Sequence, residues 1–261
     1  MKVPVRATLW AIVVSLAVSP CAIAQDVARM DQVARSYSEA AKTFMGAVLV
    51  AQDGKVLLSR GYGHANLEWN IPNTPAIKFR LGSVTKQFTA AAILLLEERG
   101  RLSIDDPVKK HLPDAPAAWD PVTIRHLLTH TSGIPSFTGF PDYRSFKMFS
   151  TPAEKIVASF LDKPLEFQPG EKWNYSNSGY VLLGHLIERI SGGTYEKFIQ
   201  DSIFTPLAMA DSGYDSNRTV IPRRAAGYSP SPAGPVNADF INMTVPHAAG
   251  ALYSTTEDLL R

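Results

Sequence analysis

The chain has 261 residues, and its 26 Lys and Arg against 24 Asp and Glu give a formal net charge of only +2. So small a charge gives no reason to expect nucleic acid or a polyanion as a partner. The hydrophobic content of 45% is ordinary for a globular protein, and the length allows a large core in one or two domains.

The N-terminus has the pattern of a secretory signal peptide. Two basic residues precede an apolar run over 9–18, and the small residues of Ala22-Ile23-Ala24 suit cleavage after Ala24. We therefore predict a signal peptide over 1–24 and a periplasmic or secreted location. The run is too short to favour a membrane anchor, and the residues before Cys21 fit a lipoprotein signal poorly.

Cleavage would leave a mature chain over 25–261 with different properties. Cys21 is the only cysteine, so no disulfide or thiol chemistry would remain. The mature chain would hold 24 basic and 24 acidic residues. No later apolar run is long enough to span a membrane, so we expect no membrane span after cleavage.

The first predicted elements after the signal are a helix and a hairpin. Apolar residues follow a helical spacing over 26–41. The apolar strand Gly46–Val50, the turn Asp53-Gly54 and the return strand Val56–Ser59 predict a β-hairpin. Two strands alone are marginally stable, so we expect this hairpin to join a larger sheet.

A long helix is predicted from Ser83 to about Arg99, ended by Gly100 and apolar nearly all round, as in a buried central helix. Further helices are predicted near 123–129, 152–161, 179–190 and 195–203, with another beginning at Thr255. The Pro- and Gly-rich stretch 220–236 is predicted as loop. A hairpin followed by helices indicates an α+β fold rather than alternating βαβ units.

The segment Ile134–Ser150 carries several aromatic residues among Pro and Gly. Two interpretations remain open for it. The aromatic side chains could form a rim over a binding site, or the segment could be an ordered loop packed on the core.

The motif Ser83-Val84-Thr85-Lys86 lies where a strand turns into the long helix. Backbone N–H groups and the helix dipole at that position favour negative charge on the Ser83 oxygen. Lys86 would share a helix face with Ser83. A partly buried ammonium at a helix start loses proton affinity and could act as a base. The alternative interpretation is a helix N-cap followed by a solvated lysine.

A second motif, Tyr175-Ser176-Asn177, follows the turn Pro169-Gly170 and precedes a predicted helix. Such a loop could present a phenol and an amide to a cleft. A buried tyrosine with a satisfied hydroxyl is nevertheless the commoner case.

Five segments of the chain occur in an order and spacing that resemble a known family. These segments are Leu81–Thr89, Leu127–Pro135, Phe167–Gly184, Pro206–Met209 and Gly250–Thr255. From about Asp31 to Arg261 the chain resembles class C β-lactamases, serine D-Ala-D-Ala carboxypeptidases and related esterases. The resemblance implies a β-lactamase/transpeptidase-like α+β fold, with an antiparallel sheet, flanking helices and a helical region.

The resemblance also implies a role for each motif residue. Ser83 would attack a carbonyl and form an acyl-enzyme, with its backbone N–H as half of the oxyanion hole. Lys86 and Tyr175 would share the proton, and which of them is the base stays open because coupled groups titrate together. Asn177 would bind the substrate amide or orient Lys86. No cofactor is implied, and the oligomeric state is not indicated.

The substrate implied by the resemblance is a small molecule or peptide: a β-lactam, a D-Ala-D-Ala peptide or a small ester. The family's third motif, Lys-Thr-Gly or His-Thr-Gly, does not occur in the sequence. We therefore expect a C-terminally truncated domain that lacks sheet strands and the second oxyanion donor. An inactive fragment and a non-catalytic cell-wall- or peptide-binding homologue remain alternatives.

Other chemistry has less support. The sequence holds no Gly-x-Ser-x-Gly, which excludes an α/β-hydrolase elbow. His126 and His130 have the spacing of a zinc helix, but Leu127 stands where such motifs require Glu, so we predict no metal site.

We predict that the exported protein begins at Gln25. N-terminal sequencing of protein recovered from the producing cell's exterior or periplasm would test this. Soluble cytoplasmic protein that retains Met1 would contradict it, and a lipidated Cys21 would instead identify a lipoprotein.

Overall fold

The computed structural model describes residues 20–40 and 44–261. Most of the predicted signal segment therefore lies outside the described residues. Helix Pro20–Arg35 begins at a proline, which the first helical turn tolerates, and in this uncleaved chain it runs through the predicted cleavage point after Ala24.

The described part of the chain is a mixture of helices and short strands. Its α-helices are α1 (Pro20–Arg35), α2 (Thr85–Glu98), α3 (Val108–His111), α4 (Ile124–Leu128), α5 (Tyr143–Phe146), α6 (Ala153–Leu161), α7 (Asn177–Ser191), α8 (Tyr195–Ile199) and α9 (His247–Gly250). Its strands are β1 (Gly46–Gln52), β2 (Lys55–Tyr62), β3 (His64–Asn66), β4 (Ile71–Pro72), β5 (Phe79–Arg80), β6 (Gly213–Tyr214), β7 (Tyr228–Ser229), β8 (Val236–Asn237) and β9 (Leu252–Ser254). Shorter 3-10 segments include Gly82–Val84 and Asp258–Leu260, and π-helical turns follow α1 and α8.

The predicted hairpin forms as β1 and β2, antiparallel, with an irregularity between Val50 and Ala51. The expectation that it joins a larger sheet is wrong for the described residues, where it stays two-stranded. Its support comes from α1: Asp31 accepts hydrogen bonds from the Tyr62 hydroxyl at 2.7 Å and from Arg60 at 2.9 Å. In the described residues the hairpin is therefore supported by contacts with α1 rather than by further strands.

The remaining strand pairings are also antiparallel. The central strand of a three-stranded sheet is β9, between β5 and β6, while β3 pairs with β4 and β7 pairs with β8. The β7–β8 pair lies mostly within the stretch predicted as loop. Strands of two residues are too short to show the alternation of apolar and polar residues by which a strand is predicted from sequence.

The core forms where α2 and α7 pack together, with α6, α8 and α9 around them. Along α7 nearly every side chain of its first three turns is buried, including Val181, Leu182 and Leu183. The long helix is confirmed, but it is not buried all round: Ile93 is fully enclosed while Leu94 is about half exposed.

The aromatic segment packs on the core, which decides between its two interpretations. The buried Phe137 ring lies 5.7 Å from Tyr143 and 6.1 Å from Phe146, both edge-on, and 6.5 Å from Phe160. These rings fill a space between α6 and the loop rather than rim a site. Phe149, at 69% exposure, is the exception.

A turn after α4 attaches a distant loop through backbone hydrogen bonds. The N–H of Gly170 donates to Thr131 O at 2.8 Å, that of Asn174 to His130 O at 2.9 Å, and that of Glu166 to Gly133 O at 2.8 Å. We call these three bonds the loop clamp. They fix the chain that leads to Tyr175.

The loop clamp depends on a glycine, which yields a prediction. Gly133 has φ +75°, and a Cβ there would lie 2.2 Å from the Phe167 carbonyl oxygen. Gly192, with φ +77° at the end of α7, has no atom within 4 Å of that position. We expect Gly192→Ala to lower the free energy of unfolding by about 1–2 kcal/mol, from backbone strain alone.

Gly133→Ala should cost about 1–3 kcal/mol more than Gly192→Ala, because a backbone atom must move aside. Urea denaturation of both variants measures the difference. Equal losses would show that the loop yields without cost, and the loop clamp would then not be rigid.

Candidate active site

Ser83 lies in the 3-10 turn Gly82–Val84, directly before α2. The turn is tied to β9: the N–H of Leu81 donates to Leu252 O at 2.8 Å, and the Leu252 N–H donates to Thr85 Oγ1 at 3.2 Å. The predicted helix therefore starts two residues after Ser83. The alternative that Ser83 caps the helix is wrong, because Val84 is the N-cap and no side chain caps it.

The hydroxyl of Ser83 instead meets the two other motif residues. Its Oγ lies 2.6 Å from the Tyr175 hydroxyl and 3.2 Å from Lys86 Nζ. The structure thus brings together residues 92 positions apart in the chain. Ser83 itself is solvent-exposed, so a substrate can approach its oxygen.

Lys86 is the second residue of α2 and is buried, with 7% of its surface exposed. Its ammonium donates to Asn177 Oδ1 at 2.9 Å and to the Ala249 carbonyl at 2.8 Å. Both of these acceptors are neutral, and the described residues place no carboxylate within ion-pair distance of Nζ. Burial lowers the pKa of Lys86, and the contact with Tyr175 acts in the opposite direction.

Tyr175 is positioned by an imidazole. The His130 ring lies 4.6 Å from the Tyr175 ring, and His130 Nδ1 accepts the N–H of Ser176 at 3.2 Å. Burial, with a smaller contribution from the charge of Lys86, lowers the pKa of His130, which suits a neutral acceptor. Sequence reasoning placed His130 in a structural turn without foreseeing this contact. Tyr175 remains 37% exposed.

Asn177 is the first residue of α7, and Ser176 caps that helix by accepting the Gly179 N–H at 3.3 Å. The Asn177 carbonyl oxygen faces Lys86, while its amide donates to Thr138 Oγ1 at 3.1 Å. Of the two roles that the resemblance left open, orientation of Lys86 matches this geometry.

Three contributors to the site were missed from the sequence. Ser136 and Thr138 hold Asn177 from the aromatic segment, where the rings dominated the pattern. The Ala249 carbonyl is a backbone group, so its residue type carries no signal. Its only indication was the neighbouring Gly250 block.

The histidines predicted not to form a zinc site have other contacts. His126 Nδ1 lies 3.2 Å from the Thr123 N–H at the start of α4, where it takes part in the helix cap. Across residues 20–40 and 44–261 no cluster of three or more His, Cys, Asp or Glu side chains could hold a metal ion. Over the same ranges no helix is both long and apolar enough to cross a bilayer.

Comparison with known proteins places these features in a family. The model of the Beta-lactamase family matches residues 30–261. The chain is 40% identical over 190 residues to penicillin-binding protein 4* of Bacillus subtilis. The aligned region covers 71% of this chain and 41% of that protein. It is 32% identical over 219 residues to protein flp of Staphylococcus aureus, covering 82% of this chain and 43% of that protein.

Solved structures give the same result. An octameric penicillin-binding protein homologue from Pyrococcus abyssi superposes with a TM-score of 0.76 at 34% identity, covering 90% of this chain and 55% of the other. A D-amino acid amidase from Ochrobactrum anthropi gives 0.76 at 28% identity, covering 90% and 68%.

These similarities confirm a β-lactamase/transpeptidase-like fold with mixed helix and sheet. The chain spans less than half the length of the curated relatives described above, at 41% and 43%. Because the family model matches nearly all of the described chain, the protein belongs to the beta-lactamase family.

Proposed function

We propose that this chain carries the acylating centre of a serine hydrolase that acts on an amide or ester. The observation that supports it best is the contact of one exposed serine hydroxyl with both a phenol at 2.6 Å and a buried amine at 3.2 Å. A nucleophile in hydrogen-bond reach of a proton acceptor, itself oriented by further groups, is the arrangement that covalent catalysis needs.

The proposed reaction has two halves. Ser83 Oγ forms a bond to the substrate carbonyl carbon as its proton passes to the Lys86–Tyr175 pair, and the same proton then leaves with the departing amine or alcohol. Water then adds to the acyl carbon as one of its protons passes to the pair. The bond between Ser83 Oγ and the acyl carbon breaks, Ser83 Oγ takes that proton back, and the acid is released. The Ser83 N–H is proposed to stabilise the oxyanion.

A lowered pKa suits Lys86 to this role. An ammonium cannot accept the serine proton, so the reactive state requires neutral Lys86 or a deprotonated Tyr175. Burial among neutral acceptors disfavours the charge on Lys86. The pair titrates as a unit, and the proposal assigns the base to the pair rather than to one member.

The substrate we propose is an amide or ester of small size, in the range of β-lactams, D-Ala-D-Ala peptides and small esters. Relatives named as D-amino acid amidase and as D-stereospecific amidohydrolase from Streptomyces support an amide with a D-configured residue. Relatives named as penicillin-binding proteins support the second candidate, a homologue that binds cell-wall peptides without turnover. A periplasmic or secreted location, proposed from the N-terminal pattern, fits either.

We predict that Ser83 is the acylated residue. Incubation with a fluorophosphonate and, separately, with a labelled penicillin should modify Ser83, as mapped by mass spectrometry, and Ser83→Ala should remove the label. Ser145→Ala, which deletes another exposed hydroxyl, is the matched control. Label on a different serine would refute the assignment. Penicillin labelling without hydrolysis of any ester or amide would favour the binding homologue.

We also predict that Tyr175→Phe lowers turnover by about a hundredfold or more with little change in substrate binding, because proton transfer matters chiefly in the transition state. The control is Tyr180→Phe. The Tyr180 ring lies 5.4 Å from Lys86 Nζ, close to the 4.8 Å of Tyr175, but its hydroxyl donates to Leu128 O instead. Steady-state kinetics on p-nitrophenyl acetate separate the two. Near-normal turnover in Tyr175→Phe would show that the Tyr175 hydroxyl takes no part in proton transfer and that the ring contributes only packing.

A further inference from the structure

The four-residue helix α9 supplies two backbone acceptors to side chains of α2. Ala249 O accepts from Lys86 Nζ at 2.8 Å, and Ala248 O accepts from Thr89 Oγ1 at 2.7 Å. Thr89 Oγ1 also lies 2.7 Å from the Tyr195 hydroxyl. A helix of one turn has almost no stability of its own, so its orientation must be imposed from outside. The position of the Ala249 oxygen therefore depends on what holds α9.

His247, the first residue of α9, makes the side-chain contact that could hold it. The residue is 7% exposed and has φ +39°, an uncommon backbone conformation for a non-glycine residue. Its Nε2 lies 3.4 Å from Glu188 Oε1 on α7. The same carboxylate oxygen accepts the Tyr195 N–H at 3.0 Å, so one acid on α7 joins α8 and α9.

The tautomer of His247 follows from its surroundings. Among the described residues, Nδ1 is buried with no hydrogen-bond partner. A proton there would be unsatisfied, whereas a proton on Nε2 can be donated to Glu188. Burial acts to raise the pKa of Glu188, but the His247 contact and the Tyr195 N–H outweigh it and leave that pKa below its ordinary value. The acceptor is thus a carboxylate.

The other groups around His247 in the described part of the chain are two aromatic rings, a histidine and a glycine. The Tyr195 ring lies 5.1 Å away and tilted, and the Tyr214 ring lies 6.2 Å away and edge-on. His185, on the same helix as Glu188, has a pKa lowered by burial, and the charge of Glu188 acts in the opposite direction. Gly184 on α7 permits the close approach of α9, since a Cβ there would lie 2.7 Å from His247 Nδ1.

We propose that His247, by donating Nε2–H to Glu188, is a positioning residue that aims the Ala249 carbonyl at Lys86. The inference rests on the proposed acylating role of Ser83. His247 touches none of the reacting atoms. Its effect reaches Lys86 in three steps: the 3.4 Å contact with Glu188 fixes the first residue of α9, α9 fixes the Ala249 oxygen, and that oxygen keeps Lys86 Nζ beside Ser83 and away from water.

Two amide substitutions test the proposal with matched chemistry. In His247→Gln the amide nitrogen falls near the site of Nε2 and can still donate to Glu188. In His247→Asn the amide nitrogen falls near the site of Nδ1, and the side chain is too short for that nitrogen to reach Glu188. His185→Asn is the control, because it removes another imidazole near Glu188, half-buried and on α7 rather than α9.

The first measurement is the rate of Ser83 labelling by a fluorophosphonate. We expect the labelling rate to fall about a hundredfold in His247→Asn, which is the loss expected when a reacting group is displaced by about 1 Å. The rate in His247→Gln should stay within about tenfold of wild type, and the rate in the control should stay near wild type. The second is an NMR titration of the 13Cε-labelled lysines, with Lys86 assigned through Lys86→Arg. The pKa of Lys86 should rise in His247→Asn as water reaches the ammonium, and should not move in the control.

The outcomes separate this inference from the proposed function. If wild type does not label at Ser83, the proposed function fails, and the Lys86 titration still tests the positioning. An unchanged Lys86 titration in folded His247→Asn, or equal losses in the Gln and Asn variants, would overturn the inference. If His247→Asn does not fold, Glu188→Gln takes its place. It weakens the acceptor by removing its charge, and an unmoved Lys86 pKa in that variant would overturn the inference as well.

Discussion

The buried ammonium of Lys86 is the constraint around which this molecule is arranged. An ammonium taken out of water must have acceptors, and here they are an amide oxygen at the start of α7 and a carbonyl at the end of α9. Three elements from distant parts of the chain are therefore obliged to meet at one nitrogen. These acceptors satisfy the N–H groups of the ammonium, while burial lowers the pKa of Lys86.

The side chains of the site could be predicted because each belongs to a short linear motif. Ser83 and Lys86 share one helical turn, and Tyr175 and Asn177 flank a helix cap, so residue type and spacing together carry the signal. The groups that support them could not be predicted in this way. A backbone carbonyl such as that of Ala249 has no residue signature, and His247 acts through contacts fixed only once α7, α8 and α9 are packed.

The fold was predictable to a similar depth. Long helices with a regular apolar spacing, such as α2, α6 and α7, were recovered within about two residues, which is the usual uncertainty of helix ends. The exact start of α2 was not, because the 3-10 turn at Ser83 is set by pairing with β9 rather than by local preference. The elements that pack against the β1–β2 hairpin also depend on contacts distant in sequence. In the described chain the hairpin contacts α1 through Asp31.

The loop clamp consists of main-chain bonds on both sides. Apart from Gly170, whose φ of +85° favours glycine, residues of any type with an N–H and a carbonyl can make such bonds. The other side chains over 167–174 are therefore not needed for the loop clamp. They can change in size and charge beside the Tyr175 phenol while the phenol itself stays in place. For the proposed hydrolase, substitutions in that loop could therefore change which acyl group is accepted while Ser83, Lys86 and Tyr175 keep their arrangement.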